Sequence, residues 1–133
     1  MTILKSLGIA ALLVFGLSSA YSQAAAPLVT RVTNDEGETL VADSISRTLY
    51  VFDMDKTSTS SACNGTCAEI WPPYLLTDAE AAALQAPLGS IQRANKKLQL
   101  TYKSRPVYTY AFDRQAGDDH GDGIGGVWHY IEE

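Results

Sequence analysis

The sequence SRTLYVFDMD at residues 46–55 recurs as SRPVYTYAFD at residues 104–113. The two copies are offset by a constant 58 residues, and the Ser-Arg pair, the central Tyr and the final Asp are identical in both. A tryptophan follows each copy, Trp71 after the first and Trp128 after the second, and this pair departs from the offset of 58 by one residue. Self-similarity at a fixed period indicates one structural unit used twice. The chain is therefore expected to contain an internal duplication.

Each copy has the pattern Tyr, any residue, an aromatic residue, two further residues, Asp. Side chains alternate between the two faces of a strand, so Tyr50 and Phe52 share one face while Leu49 and Val51 share the other. Both faces are largely apolar, which predicts a central strand. The motif residues are Tyr50, Phe52 and Asp55 in the first copy and Tyr108, Tyr110 and Asp113 in the second.

The sequence around the motifs resembles a bacterial family of secreted or lipid-anchored repeat proteins. The resemblance rests on the motif itself, on the Cys-bounded loop CNGTCAEIWPP at residues 63–73, and on the closing segment GDGIGGVWH at residues 121–129. It extends over most of the chain from about Val29. The resemblance implies an exported domain and supplies no catalytic residues, since the function of that family is unknown. Many members carry a lipidated N-terminal Cys, whereas the first Cys here is Cys63, so we expect free export rather than lipid anchoring.

The N-terminus has the order of a secretory signal peptide. Lys5 precedes the apolar run 7–17, and small residues follow. We predict a signal peptide at residues 1–24, cleaved after Ala20 or Ala24. An uncleaved anchor is the alternative, but the run is short of the about 20 apolar residues that span a membrane. The mature chain is then expected in the periplasm or secreted, with no stable membrane insertion after cleavage.

The remaining 25–133 are expected to form one secreted-repeat domain, because 133 residues are too few for two independent cores. Repeat one is placed at about 38–75 and repeat two at about 96–132. Short alternating segments joined by small turns predict a mainly β, compact antiparallel domain of two pseudo-symmetric repeats. One short helix is expected between them, since Thr77 and Glu80 have the spacing of a capping box. The pattern does not choose between a sandwich and a barrel.

The motif side chains have two interpretations each. Asp55 and Asp113 either accept backbone N–H bonds in a turn, which is common for Asp, or bind a ligand. The aromatic side chains, with Trp71 and Trp128, either fill a core shared by both repeats or form a ligand platform. We favour the turn and the core, because a small β domain needs large rings to bury.

Cys63 and Cys67 are the only cysteines, and export to an oxidising compartment predicts a disulfide between them. Their spacing differs from that of thioredoxin-like and haem-attachment motifs. The corresponding residues of repeat two are Gly121 and Gly125, so the bridge and the glycines are interpreted as two ways to form one tight loop.

An acidic loop invites a metal interpretation. Asp118, Asp119, His120 and Asp122 offer the oxygen ligands that calcium prefers, although position twelve of an EF-hand count is His129 rather than Glu. Zinc or copper binding would combine the cysteines with the histidines. The competing interpretation is an acidic, solvated loop, and no cofactor is assigned.

These observations favour an exported, non-enzymatic binding or envelope-associated domain whose partner is an unknown envelope protein or small ligand. The alternative is a metal- or redox-linked periplasmic accessory protein that uses Cys63, Cys67, His120 and the acidic loop. A hydrolase is the third hypothesis, but no nucleophile elbow, phosphate loop or zinc-protease helix occurs. With 15 acidic against 10 basic residues, no nucleic-acid partner is expected.

Overall fold

The computed structural model describes residues 13–20, 25–56 and 60–133. The predicted signal peptide lies mostly outside the described residues, as does the proposed cleavage site at Ala24, so both stay predictions. Residues 13–20 have no regular secondary structure. Within the described ranges, no helix combines the length and apolar character needed to cross a membrane.

The described chain is mainly β, as predicted, and every strand pairing is antiparallel. The strands are β1 (Val29–Thr33), β2 (Thr39–Asp43), β3 (Tyr50–Phe52), β4 (Leu75–Leu76), β5 (Leu88–Gln92), β6 (Leu98–Tyr102), β7 (Arg105–Tyr108) and β8 (Trp128–Tyr130). The helices are α1 (Thr66–Ile70) and α2 (Asp78–Ala82), with 3₁₀ turns at Asp53–Asp55 and Ile124–Gly126.

The motif strand of repeat one is central, as its two apolar faces predict. The main sheet has the order β4-β6-β7-β3-β8, and β5, which lies off this order, also pairs with β6. β3 therefore lies between β7 and β8, two strands of repeat two. In register, Tyr50 is opposite both Tyr108 and Tyr130. This arrangement makes the two repeats parts of one sheet.

The β1–β2 hairpin is attached to this sheet through backbone hydrogen bonds along the edge of β2 that does not pair with β1. The Val41 N–H donates to the Ile131 carbonyl at 2.8 Å, and the Leu49 N–H donates to the Val41 carbonyl at 2.9 Å. Val41 is fully buried. The hairpin thus covers apolar surface rather than forming a separate unit.

The two faces of β3 contribute to two different clusters. Leu49 and Val51 pack in an aliphatic cluster with Leu100 and Val107. Tyr50 and Phe52 belong to an aromatic cluster with further rings from both repeats. The alternation of a single strand therefore separates the aliphatic core from the aromatic one.

The predicted helix between the repeats is present as α2, with the capping box of Thr77 and Glu80 complete. The described residues contain one further short helix, α1, which forms within the Cys-bounded loop and was not predicted. Strand β7 of the second motif ends at Tyr108, and beyond it the Asp113 N–H donates to the Tyr110 carbonyl at 3.1 Å in a turn. The exposed Phe112 consequently does not share a strand face with Tyr108.

Replacing Tyr108 by Ala should destabilise both repeats together. Tyr108 is fully buried and pairs with Tyr50 across the repeat boundary, and truncating a buried aromatic residue costs about 3–5 kcal/mol. We expect one lowered transition, identical in far- and near-UV circular dichroism, whereas Ile45→Ala, at a 68% exposed residue, should change little. Two separate transitions, or a stable fragment ending near Pro87, would contradict a shared core.

Candidate functional site

A row of rings in contact, which we call the aromatic ladder, runs through the aromatic cluster. Its central pair, Trp71 and Trp128, is stacked, with ring centroids 3.8 Å apart and planes within 2° of parallel. Phe52 stacks on Trp128 at 4.2 Å, and Tyr110 packs on Trp71 at 4.5 Å with the two planes tilted by 32°. Phe112 ends the row, 5.4 Å from Tyr110.

Each tryptophan of the ladder contacts a motif ring of the other repeat. Phe52 of repeat one stacks on Trp128 of repeat two, and Tyr110 of repeat two packs on Trp71 of repeat one. The motif tyrosines add matching edge-on contacts, Tyr50 on Trp71 and Tyr108 on Trp128, at 5.5 and 5.2 Å. The predicted core shared by both copies is therefore present, and equivalent residues make equivalent contacts in it.

The motif tyrosine of each repeat donates a hydrogen bond to the motif aspartate of the other. The Tyr50 hydroxyl donates to Oδ2 of Asp113 at 2.6 Å, and the Tyr108 hydroxyl donates to Oδ2 of Asp55 at 2.6 Å. This crossed pairing was not predicted from the sequence. One signal was available in the sequence: both Tyr and Asp recur in the motif. Their odd spacing would point the two side chains of one motif to opposite faces of a strand, so they do not pair with each other.

The second oxygen of each motif aspartate accepts a backbone N–H, as the turn interpretation expects. Oδ1 of Asp55 accepts from the Ala62 N–H at 2.7 Å, and Oδ1 of Asp113 accepts from the His120 N–H at 3.1 Å. Positions 62 and 120 are again 58 residues apart. Each aspartate thus joins its own loop to the tyrosine of the other repeat.

Burial raises the pKa of both motif tyrosines and of Asp113. Burial, and then the hydrogen bond to the partner carboxylate, raises the pKa of Tyr50 and of Tyr108. Burial also raises the pKa of Asp113, against the opposing effects of the Tyr50 hydroxyl and the His120 N–H. Both phenols therefore keep their protons in the folded state at any pH near neutral.

Cys63 and Cys67 form the predicted disulfide. Cys63 is fully buried against the aromatic cluster, and the Trp71 N–H donates to the Cys67 carbonyl at 2.8 Å. The bridged loop thereby leads directly into one of the central rings. In repeat two, the residue equivalent to Cys63 is Gly121. A Cβ on Gly121 would lie 2.8 Å from the Trp71 ring, so a larger residue would clash at this position.

The acidic loop does not bring its four predicted metal ligands together. Ligand atoms of Asp118 and His120 lie within 4.8 Å of each other and of Asp113. Asp119 instead accepts from the Asn34 amide at 2.9 Å, and Asp122 accepts from the Tyr130 N–H at 3.2 Å. The carboxylates of these two residues thus hydrogen-bond to other segments of the chain.

The cysteines also stand apart from this group, since they are bonded to each other within the aromatic cluster while the side chain of His120 is 63% exposed. Cation binding by Asp118, Asp119, His120 and Asp122 stays a prediction.

Comparison with known proteins supplies the family. A family model described as a secreted repeat of unknown function matches residues 30–74 and again residues 89–132. The chain belongs to this secreted-repeat family. Each match contains one complete copy of the motif and one ladder tryptophan. No curated protein and no solved structure gives a significant match. Family membership fits an exported module.

A double-mutant cycle would measure the crossed pairing of this secreted repeat. Hydrogen bonds to charged groups contribute about 1.5–3 kcal/mol, so we expect a coupling energy of that size between Tyr50→Phe and Asp113→Asn in denaturant unfolding. The matched control pairs Tyr50→Phe with Asp55→Asn, the aspartate of the same repeat, and should give additive effects. Equal coupling in both cycles would refute the crossed arrangement.

The same tyrosines should make the secreted repeat unfold in alkali. Because their pKa is raised in the folded state, their contribution is complete below about pH 10, where unfolded phenols begin to ionise, and is lost as the pH rises further. We expect the free energy of unfolding to fall above that pH, together with cooperative appearance of phenolate absorbance. Tyr50→Phe should lower stability at neutral pH and make the alkaline decline shallower; an unchanged slope would count against this assignment.

Proposed function

We propose that the protein is an exported, non-enzymatic binding module that contacts an envelope component through the exposed end of the aromatic ladder. The observation that carries this proposal is the gradient of exposure along the ladder. Trp71 is 5% exposed, Tyr110 is half-buried and Phe112 is 57% exposed. A rigid row of rings therefore leads from the core to an aromatic side chain in water.

The exposed end has a firm backbone support. The Ala111 N–H donates to the Ile70 carbonyl at 2.9 Å, and the turn at Asp113 closes on the Tyr110 carbonyl at 3.1 Å. Ile70, itself 40% exposed, is thus joined to the segment that carries Phe112. Exposed apolar groups that are held in place need little further ordering on binding, and such patches mark interaction surfaces.

The non-enzymatic part of the proposal rests on the roles of the motif carboxylates. Asp55 and Asp113 each use one oxygen for a tyrosine and the other for a backbone N–H. The Asp55 residue is buried, at 3% exposure. Acid–base work would require a carboxylate within reach of a substrate proton, and these two support the core instead.

Photocrosslinking tests the proposed surface. We would place the photoreactive residue p-benzoylphenylalanine at position 112, and as a matched control at position 45, where the exposed Ile45 lies outside the ladder. Irradiation of cells that export each variant should give a discrete crosslinked product from position 112 alone. Added wild-type protein should compete for this product, and Phe112→Ala protein should compete at least about tenfold less well, the loss expected for one aromatic anchor worth more than about 1.4 kcal/mol.

Equal products at positions 112 and 45, or equal competition by the wild-type protein and Phe112→Ala, would contradict the proposal. Folding of Phe112→Ala is checked by its circular dichroism and thermal transition, which should match those of the wild type because the side chain is mostly in water.

A further inference from the structure

A small cleft opens over Val51, on the face of β3 opposite to the aromatic ladder. Its volume is about 300 Å³, at the lower end of the about 300–1,000 Å³ typical of ligand pockets. The floor is apolar, because Val51 and Tyr102 belong to the aliphatic cluster and Ile131 packs against that cluster. The cleft therefore suits a ligand with few non-hydrogen atoms and an apolar body.

Sheet register places a guanidinium group at this cleft. Val51 is opposite Val107 on β7 and opposite His129 on β8. Arg105 lies two residues before Val107 and is opposite Tyr102 on β6. Residues two apart on a strand share a face, and so do residues directly opposite each other on neighbouring strands. Arg105, His129 and Tyr102 are therefore on the same face of the sheet as Val51.

Lys103 brings an ammonium group to the same cleft. Its Nζ lies 5.4 Å from the centroid of the Tyr102 ring, and the residue contributes to the cleft lining. Among the residues that the structure describes, Lys103 forms no ion pair. The carboxylate beside it, Glu133, is instead bonded to Arg31 and accepts from the Tyr102 hydroxyl at 3.2 Å. The Lys103 ammonium group is thus available to a ligand.

Arg105 is held only weakly by the protein. Its Nη2 donates to the Phe52 carbonyl and to Asp53 Oδ1, both at 3.4 Å. The other oxygen of Asp53 lies 3.1 Å from His129 Nε2. Within the described ranges, no hydrogen bond of Arg105 uses Nη1 or Nε. Since a guanidinium group has five N–H donors, most of those of Arg105 are available to a ligand or to water.

Comparison of the repeats shows why Arg105 is available. At the offset of 58 residues Arg105 corresponds to Arg47, whose Nε donates to Asp43 at 2.7 Å. The residue of repeat two that corresponds to Asp43 is Thr101, which has no carboxylate. The turn of repeat one therefore holds its arginine in an ion pair, whereas the turn of repeat two leaves its arginine at the cleft.

The backbone at Lys103 is a second sign that this turn has a purpose beyond the fold. Lys103 has a φ of 47° and Ser104 a φ of 66° in the two-residue turn between β6 and β7. This left-handed region suits Gly or Asn and disfavours Lys. The equivalent residue of repeat one is Ile45, so the repeat does not require a basic residue here. Backbone held in a disfavoured region is concentrated at functional sites.

We propose that this cleft binds a small organic carboxylate, with the carboxylate on Arg105 and Lys103 and an apolar body against Val51 and Ile131. The planar fork of Arg105 matches a carboxylate with two parallel N–H bonds, and Lys103 adds a second positive charge. Asp53 beside Arg105 disfavours a second negative charge on the ligand, so phosphate fits less well. A free acid and the C-terminal carboxylate of a peptide share the required chemistry.

The probe for this site is 3-phenylpropionate, and its neutral isostere is 3-phenylpropionamide. By amide NMR titration of the full mature chain, we expect 3-phenylpropionate to shift the Val51 and Arg105 resonances with a Kd of about 1 mM or tighter. The neutral amide should bind at least about tenfold more weakly. Inorganic phosphate at the same concentration should leave these resonances in place, because it has no apolar body.

A further probe, N-acetylphenylalanine, distinguishes the two sources of the carboxylate. Tighter binding of N-acetylphenylalanine than of 3-phenylpropionate would support the proposal with a peptide C-terminus as the ligand, because the acetylated amine mimics the preceding peptide bond. Weaker binding would support it with a free acid as the ligand.

Lys103→Gly separates ligand binding from folding. Gly suits the left-handed backbone at this position, so the variant should keep or raise the melting temperature while its Kd for 3-phenylpropionate rises at least about tenfold. The matched control is Lys96→Gly. Lys96 also has a positive φ, of 67°, but it lies in the turn at the other end of β6, so its replacement should leave the Kd unchanged.

Arg105→Gln should likewise weaken 3-phenylpropionate binding at least about tenfold, whereas Arg47→Gln, at the equivalent arginine of repeat one, should leave the Kd unchanged. Absence of shifts at Val51, shifts caused by phosphate alone, or a neutral amide that binds as tightly as the carboxylate would overturn the proposal. Equal Kd values for Lys103→Gly and the wild type would also overturn it. Crosslinking at position 112 is expected to be unaffected by either cleft variant, so failure at this cleft is distinguishable from failure of the proposed function.

Discussion

The crossed hydrogen bonds between Tyr50 and Asp113 and between Tyr108 and Asp55 are the constraint on which the remaining structure depends. A fully buried tyrosine needs an acceptor for its hydroxyl, because an unpaired buried polar group costs about 1–3 kcal/mol. Each tyrosine donates its hydroxyl to the motif aspartate of the other repeat. Neither half can therefore bury its motif ring properly without its counterpart.

The same pairs organise the loops around the aromatic ladder. Each aspartate also accepts a backbone N–H from the loop that follows its own motif, and those loops continue to Cys63 or Gly121 beside the rings. Among the described residues, no buried side-chain polar atom is left without a hydrogen-bond partner. The apolar groups of this small core supply its stability. Its hydrogen-bonded polar groups specify its geometry.

Much of the architecture could be predicted from the sequence, because it depends on local signals. Alternation in the motif indicated a central strand, and the Thr77–Glu80 spacing indicated α2. The crossed pairing could not be predicted, since the offset shows that two residues are equivalent and does not show which residue each one contacts. Helix α1 was missed because the disulfide loop, rather than an apolar period, determines it. The exposed position of Phe112 could not be predicted, because the turn at Asp113 accompanies that residue's tertiary contact with Tyr50.

The reciprocal contacts of the ladder and of the tyrosine–aspartate pairs have a consequence for the origin of the domain. When residue i of one unit contacts residue j of a second, and j of the first contacts i of the second, the interface is isologous, the kind that joins identical subunits in a dimer. A single ancestral copy could satisfy its tyrosine and its aspartate with another molecule of itself. Gene duplication would then have joined two such subunits in one chain.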